Sequence, residues 1–409
     1  MFKTAFQLAY KSLFRRATRT SMVVLMIALS LSGLLLLQGL YDGMVTHMIN
    51  TTLRSDCGEI SLYAKNYRLE QDLKYHIDDI PQLQKSLDQI KEIDTYAIRL
   101  SQQGLIATAH KSFQATLKGI SLEQEKTFGQ LDRFLFQGVF DFGKKDENAL
   151  IGEILAKNLK VGLGSRLVFS AQDANGEINA ISFRIGGILK TGNPLIDEET
   201  VLIPMKKMSN FLSLPDSATQ IALRVYDPSS VKPLQKILQN RLKDLEVYRW
   251  DELYPLLIQM RQMMDLFNLI SYIIVFIVAA LGIFGVILVS ILERMREFSV
   301  MLAIGASHTQ IRLQVILEAF IMALFGYTLG SLLGWFFLIY TASIGIDLGY
   351  FEAGLQSFGL GSVLFADIHG YYFLEAFGAV VTASLLSSLW PLYLLKKIDP
   401  IRIIQGKML

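Results

Sequence analysis

The chain has 409 residues, of which 52% are hydrophobic and 19% charged, and its formal net charge is +2. That is more apolar than an ordinary soluble domain and suits a membrane protein with a sizeable soluble part. The near-neutral balance gives no basic field for nucleic acid, and a single cysteine, Cys57, excludes an intrachain disulfide framework and a cysteine-based zinc site.

Met1–Thr18 is amphipathic. Phe2, Phe6, Ala9 and Leu13 lie roughly along one helical face and Lys3, Lys11, Arg15 and Arg16 elsewhere. This pattern predicts a helix lying in the membrane interface over residues 1–18. Ser21–Leu40 follows without a charge and is long enough to cross a bilayer, which takes about 20 helical residues. It exceeds a signal-peptide core and lacks a small-residue cleavage site after it, so it is expected to be retained. The apolar character runs on through Tyr41–Thr51, so residues 19–52 read as a first span with a helical extension.

Residues 53–259 read as a large soluble α+β domain, with room for two subdomains. Gly58–Tyr63 alternates apolar and polar residues and predicts a strand. Ile80–Ile93 has helical spacing, with Pro81 at its start. Thr95–Leu100, Gly104–Ala109 and Ser112–Ile120 read as three strands, Glu153–Leu159 as a helix, and Arg166–Phe169 and Ile178–Ile188 as two more strands. Asn175-Gly176 between the last two is a hairpin signal, because both residues tolerate positive φ. Val231–Leu242 is a further amphipathic helix.

Residues 260–409 hold three more charge-free segments of spanning length, Leu266–Leu292, Ala319–Ile346 and Ala376–Leu395. The third span carries Gly326, Gly330 and Gly334, a doubled small-xxx-small pattern that lets two helix backbones approach closely. Pro391 implies a kink in the fourth. Basic residues cluster before the first span, between spans two and three (Arg294, Arg296, Arg312) and after the fourth (Lys396, Lys397, Arg402, Lys407). The loop Gly345–Gly370 has no Lys or Arg but contains Asp347, Glu352 and Asp367. The positive-inside rule therefore predicts cytoplasmic termini and an extracytoplasmic domain between spans one and two.

The stretch Glu293–Glu318 has its own start and stop signals. Phe298, Met301 and Leu302 fall at i, i+3 and i+4, which predicts a short helix over Arg296–Ile304. Gly305 stands where a helix takes a left-handed residue, and Ser307 with Gln310 matches a capping box that opens the next helix. Glu318 and Glu375, at span ends, are expected to snorkel or to pair with a neighbouring arginine. From the residues alone, this stretch is either a lever across the mouth of two spans or a tight loop whose arginines only fix topology.

Glu293-Arg294-x-Arg296-Glu297-Phe298-x-x-Met301-x-Ala303-Ile304-Gly305-Ala306 resembles the E-R-x-R-E-[IF]-x-x-[ML]-x-A-[LI]-G-A signature of the FtsX-like permeases, the membrane subunits of MacB/Lol-type ABC transporters. Weaker similarity continues through Leu117–Ile120 with Glu123 and through Ile151–Gly162. Thr191-Gly192 with Asp197, and Tyr248–Leu253, resemble the lipoprotein-releasing branch in particular. The resemblance implies that 296–304 is a coupling helix docking on an ABC ATPase. Phe298, Met301, Leu302 and Gly305 would then form the contact, with Arg294, Arg296 and Glu297 at its rim. It further implies an inner-membrane permease working as a homodimer or with a paralogous permease. ATP-driven motion would be passed to the extracytoplasmic domain, and lipoprotein or other hydrophobic cargo extracted toward a periplasmic carrier. One relative in that branch carries an extended hook for the carrier; Ala171–Ala180 offers only a compact hairpin, which argues against recruitment by this chain. Some four-span relatives transport nothing and instead activate a wall hydrolase or sensor kinase, which is the alternative reading.

Local chemistry excludes other classes. No G-x-x-x-x-G-K-[ST] phosphate loop occurs, so ATP and magnesium are expected in the partner ATPase and no cofactor in this chain. His47, His76, His110, His308 and His369 are scattered without metal-ligand spacing, and no nucleophile elbow is present, so neither a metal site nor a catalytic residue is expected.

Overall fold

The computed structural model describes residues 6–7, 9–12, 17–109, 111–144, 146–351 and 363–396. Within the predicted interfacial helix, 6–7 and 9–12 are helical. Phe2, Lys3, Leu13, Arg15 and Arg16 lie outside the described residues, as do His110, Glu352, Lys397, Arg402 and Lys407. The chain divides into a membrane unit, built from residues up to Met44, Arg261–Asp347 and Val363 onward, and a β-rich unit built mainly from Val45–Met260.

Among the described residues, four helices are long and apolar enough to cross a membrane. Their ranges are Ala17–Thr52, Pro255–Glu293, His308–Ser343 and Gly370–Lys396, the last holding Pro391 inside it. At 1.5 Å per residue the second helix is about 58 Å long, against roughly 30 Å of hydrocarbon. The first and second helices therefore outrun the bilayer, as the apolar run past Leu40 predicts for the first. One end of the membrane unit is tied together by polar groups. Tyr272 donates to Gln38 at 2.7 Å, Tyr371 to Asp42 at 3.0 Å, and the Asp367 N–H to the Gly39 carbonyl at 2.8 Å.

The β-rich unit is a ten-stranded sheet. Its strands are β1 (Ile60–Ala64), β2 (Ile93–Ala107), β3 (Ser112–Ile120), β4 (Leu135–Gly138), β5 (Asn148–Gly152), β6 (Arg166–Gln172), β7 (Ile178–Leu189), β8 (Thr200–Pro204), β9 (Gln220–Val225) and β10 (Leu245–Arg249). The order is β10-β1-β9-β2-β3-β8-β5-β7-β4, with β6 joined to β2 and β7. β2 is the seam. Its first half pairs with β9 (Tyr96 opposite Leu223) and its second with β3 (Leu100 opposite Gly119). Each half-sheet has its own core. Ile60, Leu62, Ile221 and Leu223 pack with Leu87, Leu234 and Leu238 on one side of the seam. Leu117, Phe169, Phe183 and Val201 pack with Leu155, Leu159 and Phe211 on the other.

Three local expectations need correction. The helix starting at Ile80 stops at Leu87 rather than Ile93. Ile90 is also buried, so the helical spacing had counted a core contact made by the following turn. Thr95–Leu100 and Gly104–Ala109 fall on one strand, β2, because β9 pairs with it up to Arg99 and β3 pairs with it without a break from Leu100 to Ala107, Gln102 and Gln103 included. The β6–β7 turn has five residues, 173–177, and within it only Gly176 takes a positive φ, of 86°. The Asp173 carboxylate organises it by accepting from the Asn175 and Glu177 N–H groups at 2.9 Å each, a side-chain-built turn.

Candidate coupling site

The short helix runs over Met295–Ala303, one residue earlier than the spacing suggests. Its end is built by backbone geometry. Gly305 has φ +99°, the Ala306 N–H donates to Met301 O at 2.9 Å, and the Gly305 N–H donates to Leu302 O at 3.1 Å. This pair of bonds is a Schellman ending, which needs a residue that tolerates positive φ. Two residues on, the Ser307 N–H donates to the Gln310 side chain at 2.9 Å, and the Gln310 N–H to Ser307 Oγ at 3.3 Å. That reciprocal box starts the third spanning helix. The helix is thus closed at one end and followed by a fixed corner.

Its inner face belongs to the membrane unit. Phe298 is 1% exposed and shares a buried cluster with Ile287, Ile291, Ile311 and Val315; Met301 and Leu302 are half-buried against the same cluster. Where the resemblance implies that Phe298 contacts an ATPase, the ring instead seats the helix on its own bundle. Periodicity finds the apolar face and cannot tell which body covers it. Arg294 is likewise drawn inward. Its guanidinium donates to Glu318 at 2.8 Å and to Glu297 at 3.0 Å, and stands 4.9 Å over the Phe298 ring. Burial, the largest single influence, opposes the Arg294 charge, but the Glu318 and Glu297 carboxylates together more than offset it and raise the guanidinium pKa. Glu318 also accepts from Ser12 at 2.6 Å and Gln314 at 3.2 Å, so residues near the chain start, the short helix and the third span meet on one carboxylate. Arg19 and Glu293 make a second, exposed link at 2.9 Å between the first and second spanning helices.

The outer face is what remains. Arg296, Glu297 and Ala303 are exposed, Val300 is 48% exposed and Ile304 80%. Val300 and Ile304 are four residues apart and so share one side of the helix. Sequence reasoning did not single them out, although the same i, i+4 rule could have found them.

Gly326, Gly330 and Gly334 face the first span of the same chain. A Cβ on Gly330 would come within 2.9 Å of the Ala28 carbonyl oxygen. On Gly326 it would meet Ile27 at 2.8 Å, and on Gly334 Leu35 at 2.6 Å. The stripe is a close intrachain packing seam.

Residues 269–400 match the family model described as FtsX-like permease C-terminal. The chain is 21% identical over 341 residues to the macrolide export ATP-binding/permease protein MacB of Escherichia coli, covering 81% of this chain and 52% of that protein. It is also 21% identical over 341 residues to the lipoprotein-releasing system transmembrane protein LolE of Haemophilus influenzae, covering 79% and 80%. The chain thus spans about half the length of the MacB relatives it matches. Among solved structures it is similar to the periplasmic region of MacB from Actinobacillus actinomycetemcomitans (17% identity, TM-score 0.34, 50% of this chain and 92% of that one).

Proposed function

Because this chain carries an FtsX-like permease domain in residues 269–400, we propose that it is the permease subunit of an ABC-type exporter, driven by an ABC ATPase that this sequence does not contain. The carrying observation is the two-faced helix Met295–Ala303. One face is plugged into the bundle by Phe298 and pinned by Arg294, and the other offers Val300 and Ile304 within a polar border of Arg296 and Glu297. An apolar centre with a charged rim is the form of a protein-docking hot spot. A push on that face is delivered through Phe298 and Glu318 to the second and third spans, because a packed interior transmits displacement instead of absorbing it.

In this reading Met295–Ala303 and both termini are cytoplasmic, and the β-rich unit works on the other side of the inner membrane. Motion passes along the spans, and the cargo need not cross a channel. The charge-free spans support that, since they offer no ionisable lining for a polar cargo. Similarity to a lipoprotein-releasing protein favours lipoproteins or other hydrophobic molecules as cargo, handled by a homodimer or a pair of paralogous permeases.

The test co-expresses the full chain with an ABC ATPase from the same operon. Val300→Asp with Ile304→Asp should cut co-purified ATPase at least tenfold at unchanged membrane abundance. Undiminished binding by that variant would refute docking through this face.

A further inference from the structure

The structure contains a second concentration of charge, in the β-rich unit. Leu53–Cys57 is a π-helical turn that continues directly from the first spanning helix. Within it Asp56 is buried and meets groups from four separate segments. Its carboxylate pairs with Lys118 of β3 at 2.5 Å and accepts from the Tyr254 hydroxyl, one residue before the second spanning helix begins. Its backbone carbonyl accepts from Arg99 of β2 and, at 3.4 Å, from Gln220 of β9. Arg99, itself only 2% exposed, is held by Glu125 through two bonds of 2.6 and 2.9 Å and lies over the Phe128 ring at 5.2 Å. Next to Asp56, Ser55 accepts from the Asn193 side chain at 2.9 Å.

The connectivity of this cluster is unusual. Lys118 belongs to one half-sheet, Gln220 to the other, and Arg99 to the seam strand shared by both. Tyr254 and Asp56 stand at the ends of the two helices that enter the unit from the membrane. A core stabilised by burial alone would need none of these groups, since a buried ion pair is commonly matched by apolar residues of similar volume. What polar bonds add is fixed geometry, because each has a narrow range of length and angle.

We infer that Asp56 is the positioning residue of a rigid joint that carries displacement of the first and second spanning helices into both half-sheets at once; this rests on the permease reading above. With the joint intact, the helix ends cannot shift without taking β2, β3 and β9 with them. With it loosened, the spans move and the sheet lags.

The test uses the full chain in lipid nanodiscs with its ATPase bound. Spin labels sit on the exposed positions Ile178 and Leu281, each exchanged for cysteine (I178C, L281C). Asp56→Asn keeps the shape and removes the charge. Asp56→Asn with Lys118→Met leaves no buried charge unpaired and guards against simple misfolding. The label-to-label distance is measured without nucleotide and with ATP plus vanadate, and amide exchange is followed in parallel. Expected is faster exchange in Leu53–Cys57 and Trp250–Leu253, unchanged protection in β3 and β8, normal ATPase binding, and a nucleotide-driven distance change at least threefold smaller. A full-sized distance change in both variants would overturn the joint and leave the permease reading standing. Loss of protection across β3 and β8 in the double variant would also overturn it, by making the cluster a folding core. An unmutated chain that binds no ATPase would overturn the permease reading and the joint together.

Discussion

Replacing Phe298 by alanine separates two accounts of the short helix. If the ring plugs the helix into its own bundle, the substitution empties a site that is 1% exposed. Phe→Ala at a buried position costs about 3–5 kcal/mol, from lost transfer energy and an unfilled cavity. The Arg294 guanidinium 4.9 Å above the ring loses that ring contact as well, while keeping Glu318 and Glu297. At about 1.4 kcal/mol per factor of ten, even the lower figure shifts the seated-to-unseated equilibrium of the helix by roughly a hundredfold. Amide exchange over Met295–Ala303 in the purified chain reads this directly, with no ATPase present. Protection should fall about a hundredfold and the thermal midpoint should drop. Ile304→Ala, at a position 80% exposed, should stay within about 0.5 kcal/mol of the unmutated protein. Unchanged protection and melting in Phe298→Ala, together with lost ATPase binding, would refute the plug and restore Phe298 as an outward anchor.

Two further substitutions follow from the packing. Gly330→Ala should cost about 1–3 kcal/mol, because its Cβ would press on Ala28 backbone, and Gly334→Ala, whose Cβ would meet the buried Leu35 side chain, should cost a similar amount; an unchanged thermal midpoint for either would contradict the seam. For Arg294 and Glu318, whose side chains are 13% and 6% exposed, breaking the pair from either side should destabilise by about 3 kcal/mol. Arg294→Met with Glu318→Leu should recover about 1–3 kcal/mol relative to the sum of the single changes; strict additivity in a cycle of thermal melts would show that the two groups do not depend on each other.

What was legible in the sequence was what is decided locally or by bulk apolarity. Four spans follow from long charge-free runs, and the corner at Gly305–Gln310 follows from residue types whose preferences act over three or four positions. The helix Glu153–Leu159 and the strand Ser112–Ile120 lie where their own periodicity put them. Errors began where the answer lay with a distant partner. β2 reads as two strands until β9 and β3 are seen to share it. By resemblance Phe298 reads as outward until Ile311 and Val315, beyond the corner, are seen to cover the same face. The sequence leaves Glu318 to snorkel or to pair with an arginine; it pairs with Arg294, 24 positions away, and with Ser12, 306 positions away.

The charged joint lies furthest from what a sequence can show. Asp56, Arg99, Lys118, Glu125 and Tyr254 have no common spacing, and each alone looks like an ordinary surface residue. Yet the chain places Asp56 within a helical turn that leaves the membrane and Tyr254 at the turn that re-enters it. A protein that only needed a stable β-rich unit could close those turns with apolar side chains. Acidic, basic and phenolic groups buried together at the two points where force would enter the unit are better matched to holding an angle than to holding a fold. The same logic applies to Arg294 and Glu318 in the membrane unit, where a charged pair pins the short helix Met295–Ala303 to the third span. In both units charged groups are buried beside the ends of spanning helices, and the apolar packing elsewhere supplies the stability that lets these clusters stay polar.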